Sequence, residues 1–245
     1  MAFNFSPKAV IDSSLIAYLD AGNVKSYYSG KSNWEDLTIN NNTVVASGNT
    51  YFDSQNNGSF VFDGSSDYMF LNSPTNLPSG TCTILCWCNP DASQISIQDY
   101  IGLVSWGTRT NATPSNAILL AVNNAASPSV YVSSAYWFND YSPSNLLLDN
   151  GSWNMIGIVA RQGAILNNTT LICGNSLGLN FSTGTSAAYT RTLNFTNINL
   201  RVGCTDSNGG RAFKGKIASV MIYNRELTQL EIAQNYNATK SRFGL

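Results

Sequence analysis

The segment Ala135-Tyr136-Trp137-Phe138-Asn139-Asp140-Tyr141-Ser142-Pro143 gathers the residue types that a sugar site uses. An aromatic face stacks on the apolar side of a sugar ring, and Asp and Asn bond the ring hydroxyls. Tyr136, Trp137, Asn139, Asp140 and Tyr141 supply both kinds within one loop. The same composition suits two other roles: a contact between subunits, where aromatics are enriched, or plain packing over the end of a β structure. Asp63 and Asp67 form the best carboxylate pair in the chain. Calcium is the cofactor such a pair would take, but a hard cation wants about six to eight oxygens and only two carboxylates are visible. An Asp before Gly, as in Asp63-Gly64, more often bonds its own backbone in a turn. No other cofactor is expected.

Several chemistries are excluded by what is missing. The chain has no histidine, which removes Ser-His and Cys-His nucleophiles, the usual general base and the commonest zinc ligand. Glycoside hydrolysis needs two carboxylates facing each other across a sugar. The three glutamates are Glu35, beside Trp34, and Glu226 and Glu231, near the closing helix. No Gly-rich phosphate cradle is present either, since Gly174-Asn175-Ser176-Leu177-Gly178 reads only as a turn. We therefore expect no enzyme and no catalytic residue. Cys82, Cys86 and Cys88 share one face of a single strand, where neighbours two apart are roughly 7 Å from each other, at the limit of a disulfide. Buried, reduced cysteines are expected, and no metal site. Cys173 and Cys204 are left open as cross-strand neighbours.

The elements that position these residues are strands. Charged residues make up only 11% of the chain, and Asn, Ser and Thr supply the polar surface, which suits strands and turns. Leu15–Asp20 and Phe213–Tyr223 are apolar on both faces, so each is covered on both sides within a layered structure. Strict alternation in the second of these puts Phe213, Ile217, Met221 and Tyr223 on one face and Ala218, Val220 and Ile222 on the other. A short helix follows. Thr228 and Glu231 have capping-box spacing, and Leu227 and Ile232 have that of a hydrophobic staple. Between the ends, Phe60 and Phe62 share a face before the Asp63-Gly64 turn, and Thr81–Cys88 is a central strand. Shorter strands fall at 101–106, 117–122 and 129–133. The runs 153–161 and 169–175 read as further strands, and Gly174-Asn175 supplies residues that tolerate positive φ at a turn. Tyr27, Tyr28 and Trp34 belong either to a sugar-stacking loop or to a loop folded over and pinned by its aromatics. Residues 1–13, with Phe3 and Phe5, are a lead that frays or docks onto another subunit, and 14–245 form one domain.

A formal net charge of -1 and no basic run argue against nucleic acid. No apolar run is long enough for membrane insertion, and Met1 to Lys8 lacks the pattern of a signal peptide, so synthesis in the cytoplasm is expected. In that compartment the triplets Asn57-Gly58-Ser59, Asn111-Ala112-Thr113 and Asn167-Asn168-Thr169 are accidents of composition.

Three phrases carry a family resemblance. The first is Phe213-x-Gly215-x-Ile217, followed by Ile222-Tyr223-Asn224-Arg225, Leu227-Thr228 and Glu231-Ile232. The second is Phe60-x-Phe62-Asp63-Gly64-x-x-Asp67-Tyr68, and the third is Leu19-Asp20-Ala21-Gly22-Asn23 with Trp34-x-Asp36-Leu37. Together they resemble the laminin-G-like branch of the concanavalin A-like lectin/glucanase superfamily, in versions of the type found in bacteriophage virion proteins. The resemblance implies an all-β, two-sheet antiparallel jelly-roll sandwich with one short C-terminal helix, and with the first strand beside the last. The glucanases of that superfamily carry Glu-x-Asp-x-Glu on one strand, which this chain lacks. The implied role is a non-catalytic virion structural protein, a capsid decoration or a tail or fibre-like subunit with a lectin-like adhesion domain. Its partners would be other virion proteins, further copies of itself and a host surface polysaccharide. A lectin proper, recognising a host or environmental glycan, is the alternative.

Overall fold

In a computed structural model the chain is described at residues 8–93, 100–107, 117–123, 130–133, 146–161, 169–183, 194–205 and 211–245. Fifteen strands lie among these residues: β1 (Leu15–Asp20), β2 (Asn33–Trp34), β3 (Val44–Ser47), β4 (Tyr51–Asp53), β5 (Ser59–Asp63), β6 (Tyr68–Leu71), β7 (Cys82–Pro90), β8 (Tyr100–Gly107), β9 (Ala117–Asn123), β10 (Val130–Ser133), β11 (Asn154–Ala160), β12 (Thr170–Asn175), β13 (Gly178–Thr183), β14 (Leu200–Val202) and β15 (Lys214–Tyr223). One helix, α1 (Gln229–Thr239), follows and runs into a 3-10 turn at Lys240–Phe243.

The strands form two antiparallel sheets. One runs β13-β12-β11-β7-β15-β5-β4, with β1 also paired to β15, and the other runs β10-β9-β8-β14-β6-β3-β2. This is the expected jelly-roll sandwich with its single short helix. Between the sheets lie Trp34, Phe60, Phe62, Met69, Ile84, Trp106, Phe213 and Ile222, all 4% exposed or less. At roughly 1.5–3 kcal/mol for each large apolar side chain, this interlayer is the main source of stability.

The expected pairing of the chain ends is present. β1 lies antiparallel to β15, with Tyr18 opposite Met221 and Leu19 opposite Val220. β15 is central because β7 flanks it on one side while β5 and then β1 flank it on the other. Its second apolar face is covered from outside. α1 lays Ile232 and Tyr236 over Leu85, Trp87, Met155, Met221 and Tyr223, and Trp87 stacks on both Tyr236 (5.8 Å) and Phe243 (4.3 Å). The capping box forms as spaced: the Glu231 amide donates to Thr228 Oγ1 (3.2 Å), and the Thr228 amide donates to Glu231 Oε2 (2.8 Å). Leu227 and Ile232 are both buried beside it.

Strict alternation along β15 is corrected by a bulge. Ile217 is opposite Cys88 and Ser219 is opposite Trp87, so Ala218 is an extra residue. Phe213 and Ile217 therefore share the inner face with Val220 and Ile222, while Ala218, Met221 and Tyr223 face α1. The hairpin turn is also displaced. Gly174 and Asn175 are still in β12, and the chain reverses at Ser176-Leu177 into β13. Gly174 serves there because a Cβ would come within 2.7 Å of the Tyr236 ring.

Tyr27 and Trp34 are buried against Phe52 and Phe60, as a pinned loop requires, whereas Tyr28 is exposed with Lys31 over its ring. The five cysteines are buried thiols, none of them in a disulfide. Cys82, Cys86 and Cys88 do share the inner face of β7, but Cys173 lies in β12 of the first sheet and Cys204 follows β14 of the second, so these two are not cross-strand neighbours. Residues 8–13 lie along α1. The Val10 amide donates to Asn235 Oδ1 (2.7 Å), Tyr223 donates its hydroxyl to the Val10 carbonyl (2.8 Å), and Arg225 pairs with Asp12 (2.8 Å). Phe3 and Phe5 lie outside the described residues.

Candidate ligand-binding site

Tyr136, Trp137, Asn139, Asp140 and Tyr141, the sugar-site candidates of the sequence, lie outside the described residues. Asp63 and Asp67 are described, and their oxygens are turned onto the chain itself. Asp63 Oδ1 accepts from the amides of Ser65 (2.8 Å), Ser66 (3.0 Å) and Asp67 (3.1 Å), and its Oδ2 accepts from the Ser65 hydroxyl (2.6 Å). Asp67 accepts from the amides of Asn49 (2.6 Å) and Asp63 (3.1 Å). Burial works to raise the Asp63 carboxyl, but this set of donors outweighs it and holds it below the usual range; Asp67, more buried, is shifted up, chiefly by its burial. Among the described residues no group of three His, Cys, Asp or Glu is placed to hold a metal ion.

The tight Asp63 turn forms one wall of a cleft on the outer face of the first sheet. α1 covers only part of that face, over β7 and the C-terminal half of β15. At the corner made by β4, β5 and the start of β15 the face stays open. One transverse row there runs Tyr51, Val61, Lys216, Asn89, each opposite the next. The alternate residues Phe52, Phe60, Ile217 and Cys88 point into the sandwich, so the row must point out. The cleft holds about 650 Å³, and its walls include Tyr51, Asp63, Asn89, Asp91, Lys214 and Lys216. Gly151 closes one side, its amide donating to the Pro90 carbonyl (3.0 Å).

Tyr51 is 60% exposed, a high value for an aromatic ring on a sheet face. Its neighbours are polar and held in place. Lys216 Nζ lies 2.7 Å from Asp53 Oδ2, which holds the Asp53 carboxyl below its ordinary range. Lys214 Nζ donates to Ser93 Oγ (2.8 Å) and stands 4.0 Å from Asp91. Asp91 Oδ1 accepts from the Ser93 hydroxyl (2.6 Å) and amide (2.8 Å), and the hydroxyl bond is the main cause of its lowered pKa. A ring platform beside fixed donors and acceptors fits a ligand with one apolar face and several hydroxyls.

The sequence reading missed Tyr51 because β4 has only three residues, too few for a period to register. One signal was present: Lys214 and Lys216 are alternate polar positions in a strand that is otherwise apolar. A second, larger cleft of about 840 Å³ lies between Ile11, Leu37, Ile39 and a rim of asparagines. Its one aromatic, Tyr18, is partly buried and donates its hydroxyl to Asp20 (3.1 Å), so this cleft has no exposed ring platform. The glutamates are engaged elsewhere: Glu35 with Lys31 and Thr43, Glu226 with Arg161, and Glu231 with Arg225 and the helix cap.

Comparison with known proteins places this geometry in a family. A laminin-G-like profile, described as the concanavalin A-like lectin/glucanases superfamily, matches residues 63–233. Domain 4 of a GH43 extracellular arabinanase from Geobacillus stearothermophilus, solved in complex with arabinotriose, is similar with a TM-score of 0.59 and 15% identity, over 92% of this chain and 98% of that one. The Trypanosoma rangeli sialidase, solved with sialic acid, gives a TM-score of 0.62 and 12% identity over 95% of this chain and 34% of that one. The botulinum neurotoxin serotype D ligand-binding domain, in complex with N-acetylneuraminic acid, gives 0.58 and 12% over 89% of this chain and 49% of that one. The chain thus spans the whole arabinanase domain but about half of the toxin domain and a third of the sialidase. At these identities the likeness is one of fold. No curated protein matches the chain in sequence.

Proposed function

The chain belongs to the concanavalin A-like lectin/glucanases superfamily, and from that membership we propose that it is a non-catalytic, lectin-like adhesion module that binds a glycan in the Tyr51 cleft. The observation that carries this reading is the 60% exposed Tyr51 ring on an open sheet corner, flanked by Asn89, Asp91 and two lysines. The arabinanase domain adds support, because a domain of this size and topology stands in complex with an oligosaccharide and this chain spans 98% of it. All three glutamates are held in ion pairs, and of the aspartates that line the cleft Asp63 and Asp67 are taken up by backbone amides of their own turn, which supports a module without hydrolytic chemistry.

The setting of this module is the outside of a bacteriophage virion, as a capsid decoration or fibre-like subunit. That part rests on the phage-type phrasing of the chain from Leu19 to Leu37 and at Asn235-Tyr236-Asn237-Ala238. Mass spectrometry of purified virions tests it, and absence of the protein from the particles would end it. A glycan array with the wild-type protein, Tyr51→Ala and Trp137→Ala tests the site. Saturable binding lost at least about tenfold in Tyr51→Ala and kept in Trp137→Ala supports the cleft. The reverse pattern moves the site to the 136–141 loop. No binding to any glycan removes the lectin reading and leaves adhesion between subunits.

A further inference from the structure

Resting on the glycan reading of the Tyr51 cleft, the geometry points to its ligand class: we infer that the cleft takes neutral oligosaccharides, excludes those carrying carboxylates, and makes this choice chiefly through Asp91. Three observations carry this. The first is charge. Asp63, Asp67 and Asp91 line the cleft and Asp53 adjoins it, four carboxylates against the ammoniums of Lys214 and Lys216. The second is that both ammoniums already face protein carboxylates, Lys216 with Asp53 at 2.7 Å and Lys214 with Asp91 at 4.0 Å. No arginine is among the described lining residues, although a guanidinium fork is the group that best recognises a sugar carboxylate.

The third observation concerns Asp91 itself. Its Oδ1 accepts from Ser93, while its Oδ2 has no hydrogen-bond partner among the described residues, and its side chain is 45% exposed. A sugar hydroxyl donates to such an oxygen; an ionised sugar carboxylate has nothing to donate and meets like charge. At an effective dielectric constant near 20, two charges a few ångströms apart repel enough to weaken binding by about tenfold or more. The neighbours are arranged so that this selection persists: Asp63 and Asp67 are engaged by their own turn, which leaves Asp91 as the carboxylate with an oxygen to offer.

Isothermal titration of the full chain with arabinotriose and with trigalacturonate, at low and moderate salt, tests the inference. The wild type is expected to bind the neutral trisaccharide at least about tenfold more tightly, with the gap narrowing as salt rises. Asp91→Asn, which keeps an acceptor for Ser93, is expected to close most of the gap by strengthening the acidic ligand. Equal or tighter binding of trigalacturonate by the wild type overturns the inference, as does a gap unchanged in Asp91→Asn. Binding of either sugar that Tyr51→Ala does not weaken overturns the placement in this cleft. Silence toward both sugars, and toward a wider glycan array, overturns the glycan reading on which the inference rests.

Discussion

Asp67 is buried to 2% exposure yet is polar, and its oxygens explain why that is tolerated: they hold the amides of Asn49 and Asp63 where the β5–β6 turn crosses the chain entering β4. Replacing it with alanine leaves two amides without an acceptor. The expected loss is about 2–4 kcal/mol, read as a lower urea midpoint at unchanged slope. The same saturation by internal donors predicts that millimolar calcium leaves the melting temperature where it is. At the other end of the chain, Arg225 clamps Glu231 (2.6 Å) and Asp12 (2.8 Å). Glu231 is lowered to about 2, first by Arg225 and then by the helix cap; Asp12 is lowered to about 2, first by the Ser14 hydroxyl and then by Arg225. Because both folded values are depressed, their stabilisation is present above the ordinary carboxylate range and is lost as pH falls from about 4.5 toward 2. Melting curves across that window are expected to fall steeply for the wild type and more gently for Arg225→Ala. Parallel curves would show that the clamp contributes nothing.

At the scale of elements the decisive feature is the Ala218 bulge. Upstream of it Phe213 and Ile217 must face inward while Lys214 and Lys216 face the open corner; downstream Val220 and Ile222 take the inward side. Deleting Ala218 restores strict pairing with β7 and leaves Ile217 opposite Cys88 and Ser219 opposite Trp87, so every remaining side chain keeps its face. The loss is local: the Ala218 carbonyl that accepts from the Ala21 amide (3.0 Å) and the Ala218 methyl packed on the outer face. The deletion is expected to fold cooperatively at a lower urea midpoint, and Ala218→Gly to cost about 1 kcal/mol in urea titrations. Loss of soluble, cooperatively folding protein in the deletion variant would show that the twist of the bulge itself is needed. The cap and staple at Thr228, Glu231, Leu227 and Ile232 act at this scale too, because they set the angle at which α1 descends onto Trp87 and Met221.

At the scale of the whole molecule, the two chain ends close the outer layer together. β1 pairs with β15, residues 8–13 lie along α1, and α1 covers Leu85, Trp87 and Met155 from the middle of the chain. Contacts between residues more than 200 positions apart make unfolding of this layer cooperative. The cysteines report on that cooperativity. All five are buried, and burial pushes the thiols of Cys82, Cys88 and Cys173 up, Cys173 to about 12. An aromatic disulfide reagent is expected to find no reactive thiol in the native protein and five after denaturation, with a rate that follows global unfolding. Fast native labelling of any of the five would show a local opening.

The β class, the two doubly covered strands, the capped helix and the reduced cysteines were all legible in the sequence. Each rests on a pattern within about a dozen residues: the run of Leu15–Asp20 that is apolar on both faces, cap spacing at Thr228–Glu231, and the one-faced cysteines of Cys82–Cys88. The inward or outward direction of Phe213 and Met221 was not, because side-chain facing is a running parity and one inserted residue, Ala218, inverts all that follows. Nor was the Tyr51 cleft. Its walls come from residues 51, 63, 89, 151 and 216, each unremarkable beside its own neighbours, and only the stacking of β4, β5, β15 and β7 in one sheet brings them to a common face. Local patterns decide what each segment becomes, and the pairing of distant segments decides which side chains share a site.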